Sequence, residues 1–279
     1  MKILNAKTGD LFMKLPQSVP ILTAFTARVA GREMEQLLQS PTALARALAD
    51  TQKVVGHDGV LCLFAPLLLA SACISQQKEV IASPGADGSG LTRPDEILQT
   101  APLASILESI QPLRHHLPDS AMIYATFTGP GLLYSQLQGA FESCGMTGGA
   151  DSDYVLDVIR NLTRNALELK ADGIALIEQL EPGIPSEVQR CHKTVRKLAD
   201  FYDSGFLVFR LPGADAQRSD FSAHCTFDLA SEENLNGPVF GKLEQLAESN
   251  ASPFTTAGDV PAALPVEELR LLLRKGQSA

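Results

Sequence analysis

Residues 152–177 read SDYVLDVIRNLTRNALELKADGIALI, and this stretch decides the fold class. Ser152 has the side-chain oxygen of a good N-cap, and apolar residues follow it at helical spacing. The turn Ala171-Asp172-Gly173 ends the predicted helix, and a buried strand is predicted at 173–177. The stretch therefore predicts one helix followed at once by one strand. The apolar residues of the helix are Tyr154, Val155, Val158, Ile159 and Leu162.

The same alternation of strand and helix extends along the chain in both directions. It predicts right-handed βαβ units and a parallel sheet covered by helices, as an open doubly wound sheet or a closed barrel. After residue 209 the pattern weakens, and one strand, at 224–229, is doubtful. The other predicted strands are 19–25, 59–64, 121–127, 205–209 and 252–257. The other predicted helices are 33–55, with an interruption at Ser40-Pro41, 93–110, 131–143, 186–202 and 265–275, and 237–248 could be a further helix.

A glycine-rich segment at 79–91 interrupts this order. Its sequence EVIASPGADGSGL predicts a surface hairpin with a flexible tip. A phosphate-binding loop is the weaker interpretation, because no Gly-Lys-Ser/Thr ending follows the glycines.

Composition excludes several classes of protein. The 279 residues are 45% hydrophobic and 20% charged, which is typical of a globular chain and not of a disordered one. The formal net charge of −9 argues against nucleic acid or an anionic membrane surface as a general partner. The five cysteines form no CxxC pair, and no run is apolar and long enough for a membrane anchor. We expect a cytoplasmic protein with reduced thiols.

The residues that point most directly to a ligand lie in the stretch 23–33, which reads TAFTARVAGRE. Arg28 and Arg32 follow the first predicted strand, so in a barrel they would lie in a loop at the C-terminal mouth. Two guanidinium groups on a small-residue loop can bind carboxylates or phosphates bidentately. The alternative is a pair of solvated arginines at the start of a helix.

The motif Arg28-Val29-Ala30-Gly31-Arg32 resembles the Arg-Gln-Ala-Gly-Arg signature of the uroporphyrinogen decarboxylase family. The resemblance implies a (β/α)8 TIM-type barrel, often a homodimer, with no cofactor in the decarboxylases. We expect one such domain over residues 1–279, with one βα unit irregular or missing in the C-terminal third. Four further landmarks come in the family's order: Thr128-Gly129-Pro130, Ala171-Asp172-Gly173-Ile174, Ala257-Gly258-Asp259-Val260-Pro261 and the segment 264–269.

The resemblance also implies a carboxy-lyase of porphyrin biosynthesis, in which the paired arginines bind substrate carboxylates. Its essential aspartate after the second strand is replaced here by Pro66, whose side chain neither accepts a hydrogen bond nor stabilises a cation. The family's tyrosine after the third strand is replaced by Gln136, with Tyr134 close by as a candidate substrate contact. The histidine of the last loop is missing. These departures argue against ordinary uroporphyrinogen decarboxylation.

The same superfamily includes cobalamin-dependent methyltransferases, which bind zinc through a His-x-Cys pair after the fifth strand. This chain has Phe209-Arg210-Leu211-Pro212 in that region. The adjacent pairs Cys191-His192 and His224-Cys225 suit joint ligation poorly, because neighbouring side chains point in different directions. We therefore predict no metal site, and a corrinoid protein is a partner only under the methyltransferase alternative.

Two polar residues end predicted strands. Glu178 ends the fourth and Arg210 the fifth, and in a barrel both would face the same mouth as Arg28 and Arg32. They could form a structural ion pair. Alternatively, Arg210 contacts a substrate carboxylate while Glu178 acts as the catalytic proton donor or acceptor.

Three functions are open from sequence. The first is a lyase that binds a polycarboxylate, either a tetrapyrrole or a smaller molecule. The second is methyl transfer involving a corrinoid protein or folate. The third is a non-catalytic paralogue that binds a ligand or a partner enzyme.

Overall fold

The structure is a computed structural model in which helices and parallel strands alternate along the chain. It describes residues 19–63, 65, 67–82, 92–143, 152–179, 186–211, 263–267 and 269–270. The described helices are α1 (Thr23–Ala30), α2 (Met34–Leu37), α3 (Pro41–Val55), α4 (Leu68–Ala82), α5 (Pro94–Ile97), α6 (Leu103–His116), α7 (Pro130–Ser143), α8 (Ser152–Glu168) and α9 (Ser186–Phe201). The described strands are β1 (Gly59–Leu61), β2 (Met122–Thr128), β3 (Gly173–Gln179) and β4 (Gly205–Leu211).

The four described strands form one parallel sheet in the order β1-β2-β3-β4. Helices join each strand to the next, as parallel strands require because the chain must return to the same edge of the sheet. The predicted α/β class and parallel sheet are confirmed for this part of the chain. Closure into an eight-stranded barrel and a single domain over 1–279 stay predictions.

Each face of the sheet packs against its own hydrophobic core. Ile174 and Leu176 of β3 belong to the larger core, between the sheet and the helices. Ala175 points the other way, into a smaller core that also contains Val19 and Ile21. Residues 19–22, before α1, therefore lie against the face of the sheet that the described helices do not cover.

One tyrosine explains why two strands begin with glycine. Tyr124 of β2 is in register with Gly173 of β3, which is in register with Gly205 of β4. A Cβ atom on Gly173 would overlap the Tyr124 ring, and one on Gly205 would lie 2.7 Å from its hydroxyl oxygen. The missing side chains leave room for the fully buried ring.

Asp172 fastens the start of β3 to both neighbouring strands. Its N–H donates to the Ile123 carbonyl at 2.8 Å, and its carboxylate accepts the Ile123 N–H at 2.7 Å. Its own carbonyl accepts the Gly205 N–H at 2.8 Å. The same carboxylate pairs with the Arg114 guanidinium. The helix-to-strand turn predicted at Ala171-Asp172-Gly173 is therefore confirmed.

The strand predicted at 19–25 is wrong, because residues 19–22 have no regular secondary structure and helix α1 begins at Thr23. Alanine is the strongest helix former, and α1 contains three alanines. Its apolar residues also repeat at helical spacing, which places one face of α1 in a third core cluster. The alanines are Ala24, Ala27 and Ala30, and the apolar repeat is Leu22, Phe25 and Val29.

The other described helices match the predictions with one exception, and α4 is a helix that was not predicted. The interruption at Ser40-Pro41 is confirmed, and the Ser40 hydroxyl accepts the Ala43 N–H at 3.3 Å as an N-cap. The helix predicted at 93–110 is instead two helices, α5 and α6, because Pro102 interrupts it.

The hairpin predicted at 79–91 is wrong at its first residues, because α4 continues to Ala82. The buried Gln77 side chain in this helix accepts the Thr92 N–H at 3.0 Å, which anchors the helix to the chain beyond it. Residues 83–91 lie outside the described residues, as do Pro66 and the strands predicted at 224–229 and 252–257. In the part of the chain that is described, no helix is long and apolar enough to cross a bilayer.

Candidate functional site

Arg28 and Arg32 lie on either side of a helix C-cap. Gly31 adopts a left-handed conformation, with φ of 61°, directly after α1. Its N–H donates to the Arg28 carbonyl at 3.0 Å, and the Arg32 N–H donates to the Ala27 carbonyl at 3.1 Å. This pair of hydrogen bonds is a Schellman motif. The Ala-Gly between the arginines therefore ends a helix, where the sequence predicted a loop after a strand. We call residues 28–32 the arginine turn.

Two contacts hold the Arg28 guanidinium. Its central carbon lies 4.2 Å from the centre of the Phe25 ring, a cation–π contact. Its Nη1 donates to the Leu264 carbonyl at 2.8 Å. The side chain is nonetheless exposed, and a guanidinium carries five N–H donors, so donors remain for a ligand.

The contact with Leu264 is one of several between the first and the last described segments of the chain. Leu269 is fully buried in the core cluster that contains Leu22, Phe25 and Val55. The Arg270 side chain donates to the Val54 carbonyl at the end of α3. The segment 263–270 therefore packs against the helix that carries Arg28.

Arg32 is exposed, and neither arginine of the turn is in an ion pair with any described carboxylate. Arg28 lies in the last helical turn, where the partial negative charge of the helix end favours a cation.

Glu178 is fully buried near the C-terminal edge of β3. Its Oε1 accepts the Gly131 N–H at 3.3 Å, and its Oε2 accepts the Leu132 N–H at 3.1 Å. Its Oε1 also lies 2.8 Å from Nε2 of His192 on α9. The carboxylate thus binds the first turn of α7, where amide donors and the helix dipole both favour negative charge. We call Glu178, the Gly131 and Leu132 amides and His192 the carboxylate pocket.

The carboxylate pocket also explains Gly129, which precedes α7. A Cβ atom at this position would overlap the Glu178 carboxyl group. The Gly129 N–H donates to the Ile177 carbonyl at 2.6 Å, so the backbone of this residue is fixed next to β3. At the Thr128-Gly129-Pro130 landmark, the start of α7 therefore lies directly against the buried Glu178 carboxylate.

No described contact links Glu178 with the arginine turn. Glu178 shares its face of β3 with Ile174 and Leu176, which pack under the helices. Arg28 contacts α1 and the segment 263–270. Among the described residues the two sites have no contact residue in common. The prediction that Glu178 transfers a proton stays a prediction. The burial and hydrogen bonds of Glu178 support a structural role.

Arg210 and Tyr134 are the other residues predicted from sequence. Arg210 is the backbone partner of Glu178 in the β3–β4 register, and its side chain lies outside the described residues. Both of its predicted roles therefore stay predictions. Tyr134 lies near the start of α7, is 40% exposed, and its hydroxyl accepts the Gln138 side-chain N–H at 2.7 Å.

Sequence reasoning missed His192 because it considered this residue only as half of a Cys-His zinc pair. A signal was present. His192 lies four residues after Val188 and three before Val195, both buried, so it shares the apolar stripe of α9. A polar residue in such a stripe needs a buried partner, and Glu178 supplies it.

A comparison with solved structures identifies a related fold. The fold is similar to that of a methyltransferase from Methanosarcina mazei. The match covers 93% of this chain and 94% of that chain, with a TM-score of 0.61 and 14% sequence identity. No protein-family model matches the sequence, and no curated protein matches it. The similarity therefore shows the fold alone.

The described residues do not fit a zinc site of the kind the resemblance implies. No group of three or more His, Cys, Asp or Glu residues among them could hold a metal ion. Burial raises the pKa of Cys62, Cys73 and Cys191 to about 12, so these thiols are protonated in the metal-free chain. We derive no catalytic step through zinc.

Proposed function

We propose that this chain is an enzyme that binds a polycarboxylate at the arginine turn. One observation carries the proposal. Arg28 and Arg32 flank a turn fixed by two backbone hydrogen bonds, are both exposed, and form no ion pair with a described carboxylate. A guanidinium stays charged at every physiological pH and matches the geometry of a carboxylate.

The position of Arg28 supports the proposal further. The Phe25 ring and the Leu264 carbonyl restrict its side chain before any ligand arrives. A restricted guanidinium loses less conformational entropy on binding than a free one. No described residue restrains the Arg32 side chain in this way, so Arg32 supplies charge but its ordering costs more conformational entropy.

The reaction class that we propose is lyase-type chemistry on a polycarboxylate, either a tetrapyrrole or a smaller molecule. The resemblance of the arginine turn to the decarboxylase signature supports it. Pro66 in place of the family's aspartate favours a substrate other than uroporphyrinogen. Glu178 is fully buried and hydrogen-bonded to its own chain, so the proposal gives it a structural role and its proton transfer stays a prediction. The proposal includes a cytoplasmic location and, as the resemblance implies, a homodimer.

Calorimetric titration with tricarballylate and with uroporphyrin tests the binding. We expect saturable binding of at least one, and about tenfold weaker binding for Arg32→Ala, which corresponds to one lost charge-assisted contact. Arg28→Lys keeps the positive charge but loses the paired N–H donors of the guanidinium group, so this variant should also bind more weakly. Arg46→Ala is the matched control, because Arg46 is exposed and pairs with Asp50 on α3. Equal affinities for Arg32→Ala and Arg46→Ala would overturn the proposal.

Turnover separates an enzyme from a non-catalytic paralogue. Each compound that binds is incubated with the protein, and released carbon dioxide and products are measured. Product formation that is lost in Arg32→Ala supports the enzyme. Binding without turnover of any compound supports the paralogue.

Methyl transfer is the second candidate, because one solved structure of similar fold is a methyltransferase. It predicts transfer of a methyl group from methylcobalamin or a methylated folate to a thiol. Product analysis with and without added zinc tests it. No transfer in either condition removes this candidate.

A further inference from the structure

A small cavity lies between α1, α3 and the start of β1. Its volume is about 20 Å³, and a cavity needs roughly 10–15 Å³ to hold one water molecule. The residues that line it are mostly apolar, so the few polar side chains decide what it binds. Those side chains include Thr26, Thr51 and His57.

Two of these side chains have a buried polar atom without a partner. Thr26 is 0% exposed and His57 is 3% exposed. Within the described residues, neither Thr26 Oγ1 nor His57 Nδ1 has a hydrogen-bond partner. Buried polar atoms in folded proteins are almost always hydrogen-bonded, to the protein or to ordered water. Both atoms belong to residues that line the same cavity, so one molecule can serve both.

The chemistry of the cavity selects a neutral ligand. Burial lowers the pKa of His57 to about 3, so its imidazole is uncharged at physiological pH and offers no positive charge to an anion. One imidazole and two hydroxyl groups are too few ligands for a metal ion. Thr51 donates its hydroxyl proton to the Ala47 carbonyl at 2.8 Å, and its oxygen lone pairs can still accept.

We propose that this cavity is a binding site for one ordered water molecule that bridges Thr26 Oγ1 and His57 Nδ1. Thr51 Oγ1 is its third contact, which gives the water the two to four polar partners that buried waters have. The bridge joins the middle of α1 to the turn between α3 and β1. It therefore fixes the helix that carries Arg28, whatever ligand the arginine turn binds.

A high-resolution crystal structure of the full chain tests the site directly. We expect a single electron-density peak within hydrogen-bond distance of both Thr26 Oγ1 and His57 Nδ1. A direct hydrogen bond between these two atoms would overturn the proposal, as would a cavity without density.

A pair of valine substitutions tests the same site in solution. Thr163 on α8 is a matched control, because it is 0% exposed, its hydroxyl has no described partner, and it lines neither described cavity. Valine has nearly the same shape as threonine. If a water bridges Thr26, Thr26→Val removes a hydrogen bond and lowers the melting temperature, while Thr163→Val leaves it unchanged or raises it.

Equal responses of Thr26→Val and Thr163→Val would contradict the water bridge. Thr26→Ser covers the case in which the valine variant does not fold. It keeps the hydroxyl, so we expect a smaller loss of melting temperature than in Thr26→Ala. Equal losses in Thr26→Ser and Thr26→Ala would also overturn the proposal.

Discussion

The arginine turn and the carboxylate pocket each place a charged side chain at the end of a helix, and they use that charge in opposite ways. Arg28 lies at the C-terminal end of α1, and Glu178 lies at the N-terminal end of α7, so both match the helix dipole. Glu178 is buried and hydrogen-bonded to two amides and an imidazole. Arg28 is exposed, with one described hydrogen bond.

The difference shows which charge is available for a ligand. A buried carboxylate whose hydrogen bonds are satisfied by its own chain stabilises the fold, and a ligand that competed for it would have to break those bonds. An exposed guanidinium with free donors can bind an anion without disrupting the core. The comparison therefore supports a structural role for Glu178 and the proposal that Arg28 and Arg32 bind the ligand.

The largest effect is expected from Glu178→Ala. Removing one partner of a buried, hydrogen-bonded pair leaves the helix amides and His192 unsatisfied, so the free energy of unfolding should fall by about 4 kcal/mol. Denaturant unfolding measures this loss, and Glu35→Ala, at an exposed residue, is the control. A loss no larger than that of the control would show that the carboxylate pocket does not hold the fold.

Low pH should lower the stability of the fold through His57. This residue lines a cavity with Thr26 of α1, the helix that carries Arg28. Burial lowers the pKa of His57 from 6.5 to about 3. Between these values the unfolded chain binds a proton that the folded chain does not, so stability is full above pH 6.5 and falls as the pH drops.

The expected loss from His57 is about 3 kcal/mol at pH 4. Unfolding free energies measured from pH 7 to pH 4 check it. His57→Asn should flatten the curve, and the exposed His116→Asn should not. Parallel curves for the wild type and His57→Asn would contradict the assignment.

A smaller effect is expected from Gly129→Ala, which tests the packing of the carboxylate pocket. The new Cβ atom would overlap the Glu178 carboxyl group, so we expect a loss of about 2 kcal/mol in unfolding free energy. Gly139→Ala is the control on the same helix, since its Cβ atom would meet nothing within 4 Å. It should stabilise α7 by about 1 kcal/mol. Effects of the same sign would mean that the close approach at Gly129 is absent.

The smallest effect on stability is expected from Gly31→Ala. Alanine at φ of 61° should cost about 1 kcal/mol, because the left-handed conformation is strained. Gly56→Ala, at φ of 80° after α3, should cost about the same. Only Gly31→Ala should also weaken tricarballylate binding, because it alone moves the arginines. Equal affinities of the two variants for tricarballylate would show that the arginine turn does not bind this ligand.

The sequence predicted the parallel sheet well because its signals are local. The buried runs at 121–127, 173–177 and 205–209 lie within β2, β3 and β4, apart from one residue at the start of β2. The strand predicted at 19–25 was wrong because its apolar residues also fit a helical spacing. The three alanines favour the helix, and a buried apolar run alone does not distinguish the two.

The two candidate sites were predictable to different degrees. The arginine turn could be found because its motif is contiguous in sequence. The pairing of Glu178 with His192 and α7 depends on which face of β3 the carboxylate occupies and on how the flanking helices pack. Neither is encoded within a short window. A polar residue in the apolar stripe of α9 was the available clue.

The most direct test of recognition at the arginine turn is an NMR titration of the arginine Nε–Hε signals with tricarballylate. We predict that the signals of Arg28 and Arg32 shift saturably, with one common dissociation constant, while the signal of the exposed Arg46 stays in place. Shifts that are equal for all three arginines, or absent at Arg28 and Arg32, would contradict the account.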